Sequence, residues 1–154
     1  MSFVGVVYGE VWEDSTDPND EYNSHGVTVT FNFPLNINEI DIQNMVVEIE
    51  AYDVNRNNNP VMVDGEYVGV LEVGGKYTVE TTIITIDGEN AKKYLSDNSV
   101  TISIGKKELL RIDSIKITVG YIPKSSPSSI IKAPIPLGAI ILTLMTIPII
   151  ALKR

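Results

Sequence analysis

Residues 133–152 carry no charged side chain, and this run of about twenty constrains the chain more than any other feature. It has the length that spans a ~30 Å hydrocarbon layer as a helix. Its content is mostly Ile, Leu, Ala and Met, with Thr143 and Thr146 able to bond back to the preceding turn. Pro134 and Pro136 sit at the start, where a helix tolerates proline, and Pro148 should kink or fray the last turn. Lys132 on one side and Lys153 with Arg154 on the other can snorkel to the two lipid interfaces. Two other readings stay open. A buried core helix would show one apolar stripe, whereas this run is apolar all round. A C-terminal sorting or lipid-anchor signal would be removed on maturation.

Charge divides the chain at the same place. All 20 acidic residues lie at or before Asp113, against 8 basic ones before residue 123, which leaves that region at −12. The remaining basic residues, Lys124, Lys132, Lys153 and Arg154, give the tail about +4. So acidic a surface repels phosphates, and no nucleic-acid partner is expected. The basic tail flanking an apolar run suits a lipid headgroup boundary. With 44% hydrophobic residues a packed core is affordable, and with no cysteine there is no disulfide, thiolate ligand or thiol nucleophile.

Before the tail, the pattern has a period of two. Val27, Val29, Phe31 and Phe33 alternate with Thr28, Thr30 and Asn32, as in a half-buried strand. Strands are also expected over 3–12, 46–54, 61–63, 67–73, 77–86, 100–104 and 109–121, the last interrupted near Asp113. Between them lie a polar loop at 13–26, a connection at 34–44 and a loop at 55–60. Asp64-Gly65-Glu66 is a hairpin signal, since both turn residues must accept positive φ. Gly74-Gly75 is a further turn, and 91–95 is one helical turn at most. About eight short strands with no long helix make an all-β jelly-roll sandwich. The expected organisation is a sandwich domain at 1–122, a Ser/Pro linker at 123–132, a transmembrane helix at 133–152 and a basic tail at 153–154.

Four stretches, in order, carry a family resemblance. They are Val29-Thr-Phe-Asn-Phe-Pro-Leu35, Val47-Glu-Ile-Glu-Ala-Tyr-Asp-Val-Asn55, Val61-Met-Val-Asp-Gly-Glu-Tyr-Val-Gly-Val-Leu71 and Ile112-Asp-Ser-Ile-Lys-Ile-Thr-Val119. Residues 27–121 thereby resemble the discoidin-like, galactose-binding-type jelly-roll family. The resemblance implies the fold. Members of that family bind sugars, lipids or proteins, or serve as structural modules, so it leaves function open. Aromatics are 7% of the chain and Trp12 is the single tryptophan, which argues against the aromatic platform of a sugar binder.

Candidate site residues are few. Asp14, Asp17, Asp20 and Glu21, with Glu13, crowd one loop. Calcium takes several oxygens at ~2.4 Å, and a flexible acidic loop can supply them; the competing reading is a solvated acidic loop. Asp53 with Asn55 closes a strand, where such residues cap a turn or touch an ion. His25 is the only histidine, so a zinc site is not expected, and no nucleophile motif accompanies it. Arg56, Asn57, Asn58 and Asn59 read as an exposed loop tip before Pro60. No Asn-x-Ser/Thr sequon occurs, which disfavours an exported glycoprotein.

No enzymatic activity and no obligatory cofactor are expected. The favoured function is structural: a domain tethered to a bilayer through 133–152, packed with other subunits of a membrane-associated assembly. Its sharpest form is a capsid or envelope protein of a membrane-containing archaeal virus, to which the Ile- and Asn-rich, Cys-free composition is suited. The alternative is a surface-displayed binding module, lectin-like or for receptor attachment, with carbohydrate as its ligand. A tail-anchored adaptor facing the cytosol is a third reading, since 1–10 contains no basic residue and resembles a strand more than a signal peptide.

Overall fold

A computed structural model describes residues 9–124. Eight strands and one short helix make two four-stranded antiparallel sheets. The first holds β1 (Glu10–Thr16), β8 (Arg111–Pro123), β3 (Ile40–Tyr52) and β6 (Val79–Asp87), in that spatial order. The second holds β2 (Val27–Asn32), β7 (Ser99–Ile104), β4 (Pro60–Val63) and β5 (Glu66–Val70). Together they form a β-sandwich.

Alternation builds the core. In β3, Met45, Val47, Ile49 and Ala51 turn inward, and in β8 Ile115, Ile117 and Val119 do the same. From the other sheet come Val27, Phe31, Val61, Val63, Val100, Ile102 and Ile104, all buried. The intervening residues of β2 and β7 face out as a hydroxyl ladder, with Thr28 and Ser103 3.1 Å apart and Thr30 and Thr101 3.0 Å apart. Trp12 of the first sheet meets Phe33, just past β2, edge to face with ring centroids at 5.0 Å.

The β4–β5 turn follows its sequence signal. Asp64 and Gly65 have φ of 48° and 84°, so both central residues take the left-handed region that a two-residue hairpin needs. The last strand is not interrupted near Asp113 as expected: β8 runs unbroken from Arg111 to Pro123, and only its alternation slips, with two half-exposed residues between buried Ile112 and Ile115.

Several expected bounds need correction: β5 stops at Val70, short of 73, and β6 starts at Val79, after 77. β1 runs on to Thr16, through residues 13–16 that read as loop, because an edge strand that buries little needs no apolar alternation. β3 begins at Ile40, inside the expected connection at 34–44. Its buried positions switch parity between Ile42 and Met45, which conceals one long strand as two fragments. Pro123, expected to open the linker, instead ends β8; the expected strand residues before 9, the linker from 125 on, the apolar run at 133–152 and the basic tail lie outside the described residues. Among the described residues, no helix is long and apolar enough to cross a membrane.

The helix α1 (Gly88–Tyr94) is longer than the single turn expected. It starts where Asp87 accepts hydrogen bonds from the Glu89 and Asn90 amides, both at 3.0 Å. Ala91, Tyr94 and Leu95 carry it into the core. Gly88 lets it lie against β3: a Cβ there would stand 2.3 Å from the Ile42 carbonyl oxygen and 2.9 Å from that of Gln43. Backbone cannot retreat as a side-chain tip can. Gly88→Ala is therefore expected to destabilise the domain by about 1–3 kcal/mol, measured by urea unfolding, while Gly9→Ala, whose Cβ would meet only the Tyr121 carbonyl oxygen at 3.7 Å, stays near neutral.

Candidate functional site

Four loops gather at one end of the sandwich: 17–26, 53–59, 71–78 and 105–110. Backbone bonds stitch them together. Asn23 and Leu110 exchange amide-to-carbonyl bonds of 3.2 and 3.1 Å, the Leu71 amide donates to the Asn59 carbonyl at 3.0 Å, and the Gly75 amide to the Val54 carbonyl at 3.0 Å. Three buried or half-buried carboxylates then organise the polar side chains.

Asp20 is the first. Its two oxygens accept from Lys106 Nζ at 2.9 and 2.7 Å, and Oδ2 also accepts from the Ile112 amide at 2.8 Å. Lys106 Nζ donates further to the Glu21 and Leu110 carbonyls, at 3.2 and 3.1 Å. The Lys106 side chain has 0% exposure and that of Asp20 7%, so this is a buried ion pair with every proton used. Nothing in the local Gly105-Lys106-Lys107-Glu108 run marks Lys106 for burial.

Asp53 is the second, with 2% exposure and a φ of 68°. It accepts from the Tyr22 hydroxyl in a short hydrogen bond, from the Tyr77 amide at 2.9 Å and from Asn55 Nδ2 at 2.9 Å. These donors, Tyr22 foremost, hold the Asp53 carboxyl below its ordinary range, and the same bond pushes the Tyr22 phenol up to about 12. Tyr77 itself has a φ of 62°, unusual for a bulky residue, and is 66% exposed. Tyr22 packs edge-on against Tyr52 at 6.0 Å, and Arg111 lies over Tyr52 at 5.1 Å while pairing with Asp113. The sequence reading of Asp53 as a turn cap agrees with these bonds. The three tyrosines come from the 17–26 loop, the end of β3 and the 71–78 loop, which no local pattern discloses.

Glu108 is the third. Its Oε1 accepts from the Asn55 and Arg56 amides at 3.0 and 2.8 Å and from Asn59 Nδ2 at 2.9 Å. Asn59 is fully buried and also accepts from the Lys107 amide at 2.7 Å. The exposed loop tip expected at 56–59 is thus correct for Arg56, Asn57 and Asn58 but not for Asn59, whose amide holds the loop closed.

The acidic candidates take different hydrogen-bond partners in this arrangement. Asp14 lies on β1 and accepts from the Ser15 amide at 2.8 Å; Asp17 accepts from the Asn19 amide at 2.7 Å in a tight turn; Asp20 faces Lys106. Asp17, Asp20, Glu21 and His25 line an open depression of about 640 Å³, and Asp17, Asp20, Arg111 and Asp113 a neighbouring one of about 410 Å³. Among the described residues, no three His, Cys, Asp or Glu side chains converge as metal ligands. His25 is exposed, its amide bonded to Asn23 Oδ1 at 2.7 Å.

The chain matches no protein-family model, and no curated protein matches it.

Proposed function

We propose that the protein is a non-enzymatic structural subunit of a membrane-associated assembly. Its sandwich is a jelly roll, held beside a bilayer by a helix over residues 133–152. In its sharpest form it is a capsid or envelope protein of a membrane-containing archaeal virus. One observation carries the reading: the loop-end carboxylates Asp20, Asp53 and Glu108 are spent on tying loops to one another. Such bonding stiffens an end of the domain, which suits a building block. The spatial orders β1-β8-β3-β6 and β2-β7-β4-β5 are those of two interleaved Greek keys, which supports the jelly-roll assignment and accords with the discoidin-like resemblance.

The test uses the full chain in its membranes. Alkaline carbonate should leave it in the membrane pellet, and sedimentation in mild detergent should show several copies together. Release by carbonate, or sedimentation as a monomer, overturns the proposal.

The exposed rings of Tyr22 and Tyr77 around Asp53 favour a second reading, a tethered carbohydrate-binding module. Glycan-array binding that Tyr77→Ala abolishes, or calcium-dependent melting through Asp17 and Glu21, would replace the structural reading with this one.

A further inference from the structure

The first sheet ends on a strand built to be paired. β6 runs nine residues in unbroken register with β3, from Asn44 opposite Asp87 to Tyr52 opposite Val79. Among the described residues, β3 is its sole ladder partner. Its sequence, Val79-Glu-Thr-Thr-Ile-Ile-Thr-Ile-Asp87, is mostly β-branched and contains no Lys, Arg or Pro, the residues that blunt natural edges. Its outward side chains are Val79, Thr81, Ile83, Thr85 and Asp87, and Ile83 is 61% exposed in the middle of the row.

The other three edges are defended. β1 carries Glu10, Glu13 and Asp14. β5 has five residues and a bulge between Val61 and Met62 of its partner. β2 has six residues, and the loop from Asp17 to Gly26 lines the same depression as Val27, Thr28 and Val29. Among the described edges β6 is the longest and is paired without a bulge; its charges are Glu80, half-buried on the inner face, and Asp87 at its end, and the Glu72 amide donates to Thr82 Oγ1 on that inner face at 2.7 Å.

We infer that the edge of β6 is a self-association surface, and that its occupant is β6 of a second copy of this chain, running antiparallel about a two-fold axis through Ile83. This rests on the assembly reading above and names the partner surface within it. Two features of the strand point to this occupant. Antiparallel pairing about a two-fold on a residue keeps outward side chains opposite outward ones. The centre that uses all nine residues is Ile83, and it sets Ile83 against Ile83, Thr81 against Thr85, and Val79 against Asp87. On the inner face it sets Glu80 against Ile86 and Thr82 against Ile84. No carboxylate faces a carboxylate across the junction, although the region as a whole is strongly acidic. Like charges opposite one another would oppose pairing, and this register avoids them. The exposed isoleucine at its centre loses its water to its own symmetry mate.

The chain contains no cysteine, so single substitutions report proximity without background. In the full chain, in native membranes, mild oxidation of Ile83→Cys should link two copies several-fold faster than Thr30→Cys, which is exposed on the other sheet. Thr81→Cys mixed with Thr85→Cys should link preferentially as the mixed pair. Ile83→Lys should convert the detergent-solubilised dimer to monomer without moving the melting temperature. Equal linking at 83 and 30, or no preference for the mixed pair, overturns the edge pairing. If the chain then still sediments as an oligomer, the assembly reading stands and a different surface serves it. If it sediments as a monomer, both fall.

Discussion

Replacing Lys106 by alanine is expected to cost about 3–5 kcal/mol, which is a large part of the stability of a domain this size. The ammonium has no exposed surface and four acceptors, and its removal strands the Asp20 carboxylate at 7% exposure. Asp20 would keep only the Ile112 amide, which cannot neutralise a buried charge. The loops at 17–26 and 105–110 would then be held to each other by the Asn23–Leu110 backbone pair without the bonds that Lys106 makes to Asp20 and to the Glu21 and Leu110 carbonyls. Thermal unfolding should fall by roughly 10–20 °C. Lys107→Ala, which removes the same charge from an exposed neighbour, should stay within about 0.5 kcal/mol. Changing both partners, Asp20→Leu with Lys106→Met, should recover much of the loss, because no charge is then left buried alone. Equal losses at 106 and 107 would show that the ion pair does not hold these loops.

Asp53→Ala should have the next largest effect, with a melting temperature lower by roughly 10 °C. It removes three hydrogen bonds and places alanine at a φ of 68°, a region that Asp and Asn tolerate better. Asp53→Asn should lose less, since it keeps the backbone preference and one acceptor. The pH dependence follows from the direction of each shift. The Asp53 carboxyl titrates lower when folded, so its contribution is full above its ordinary pKa near 4 and is lost as pH falls through the depressed folded value. The Tyr22 phenol titrates higher when folded, so its contribution is full below about pH 10 and is lost as pH rises through about 12. The clasp should therefore be intact between those limits. Burial also pushes the Tyr94 and Tyr121 phenols up, so spectrophotometric titration should show several late phenols, of which Asp53→Ala returns one to the ordinary range. An Asp53→Ala curve identical to that of the wild type would remove Asp53 as the cause.

How far the sequence discloses this molecule depends on the range of the interaction. The strands at 27–32 and 99–104 alternate on a buried face, and the Asp64-Gly65 turn needs only two residues to specify it. Both are legible because the determinants sit within a few positions of each other. β1 hides because its exposed edge position demands no apolar period, and β3 hides because a parity switch at Gln43 and Asn44 interrupts the rhythm. At the loop end, Asp53 reads correctly as a cap, since Asn55 is its near neighbour. Lys106 does not, because its partner lies 86 positions away and a lysine in a polar turn ordinarily faces water. The acidic run at 13–21 looks like one cluster in the chain, but strand geometry, a tight turn and the Lys106 pair send its members to separate tasks.

The edge-to-face contact of Trp12 and Phe33 has a practical consequence. Trp12 is the chain's single tryptophan, and it stands where β1 of one sheet meets the residue that follows β2 of the other. Its emission is therefore a built-in gauge of whether the two layers remain closed. Excitation of that one indole should follow separation of the layers in real time, without any label being attached. A variant that frees only the β1 edge would shift this signal while far-ultraviolet ellipticity stays almost constant, so local fraying and global unfolding become separable by light alone.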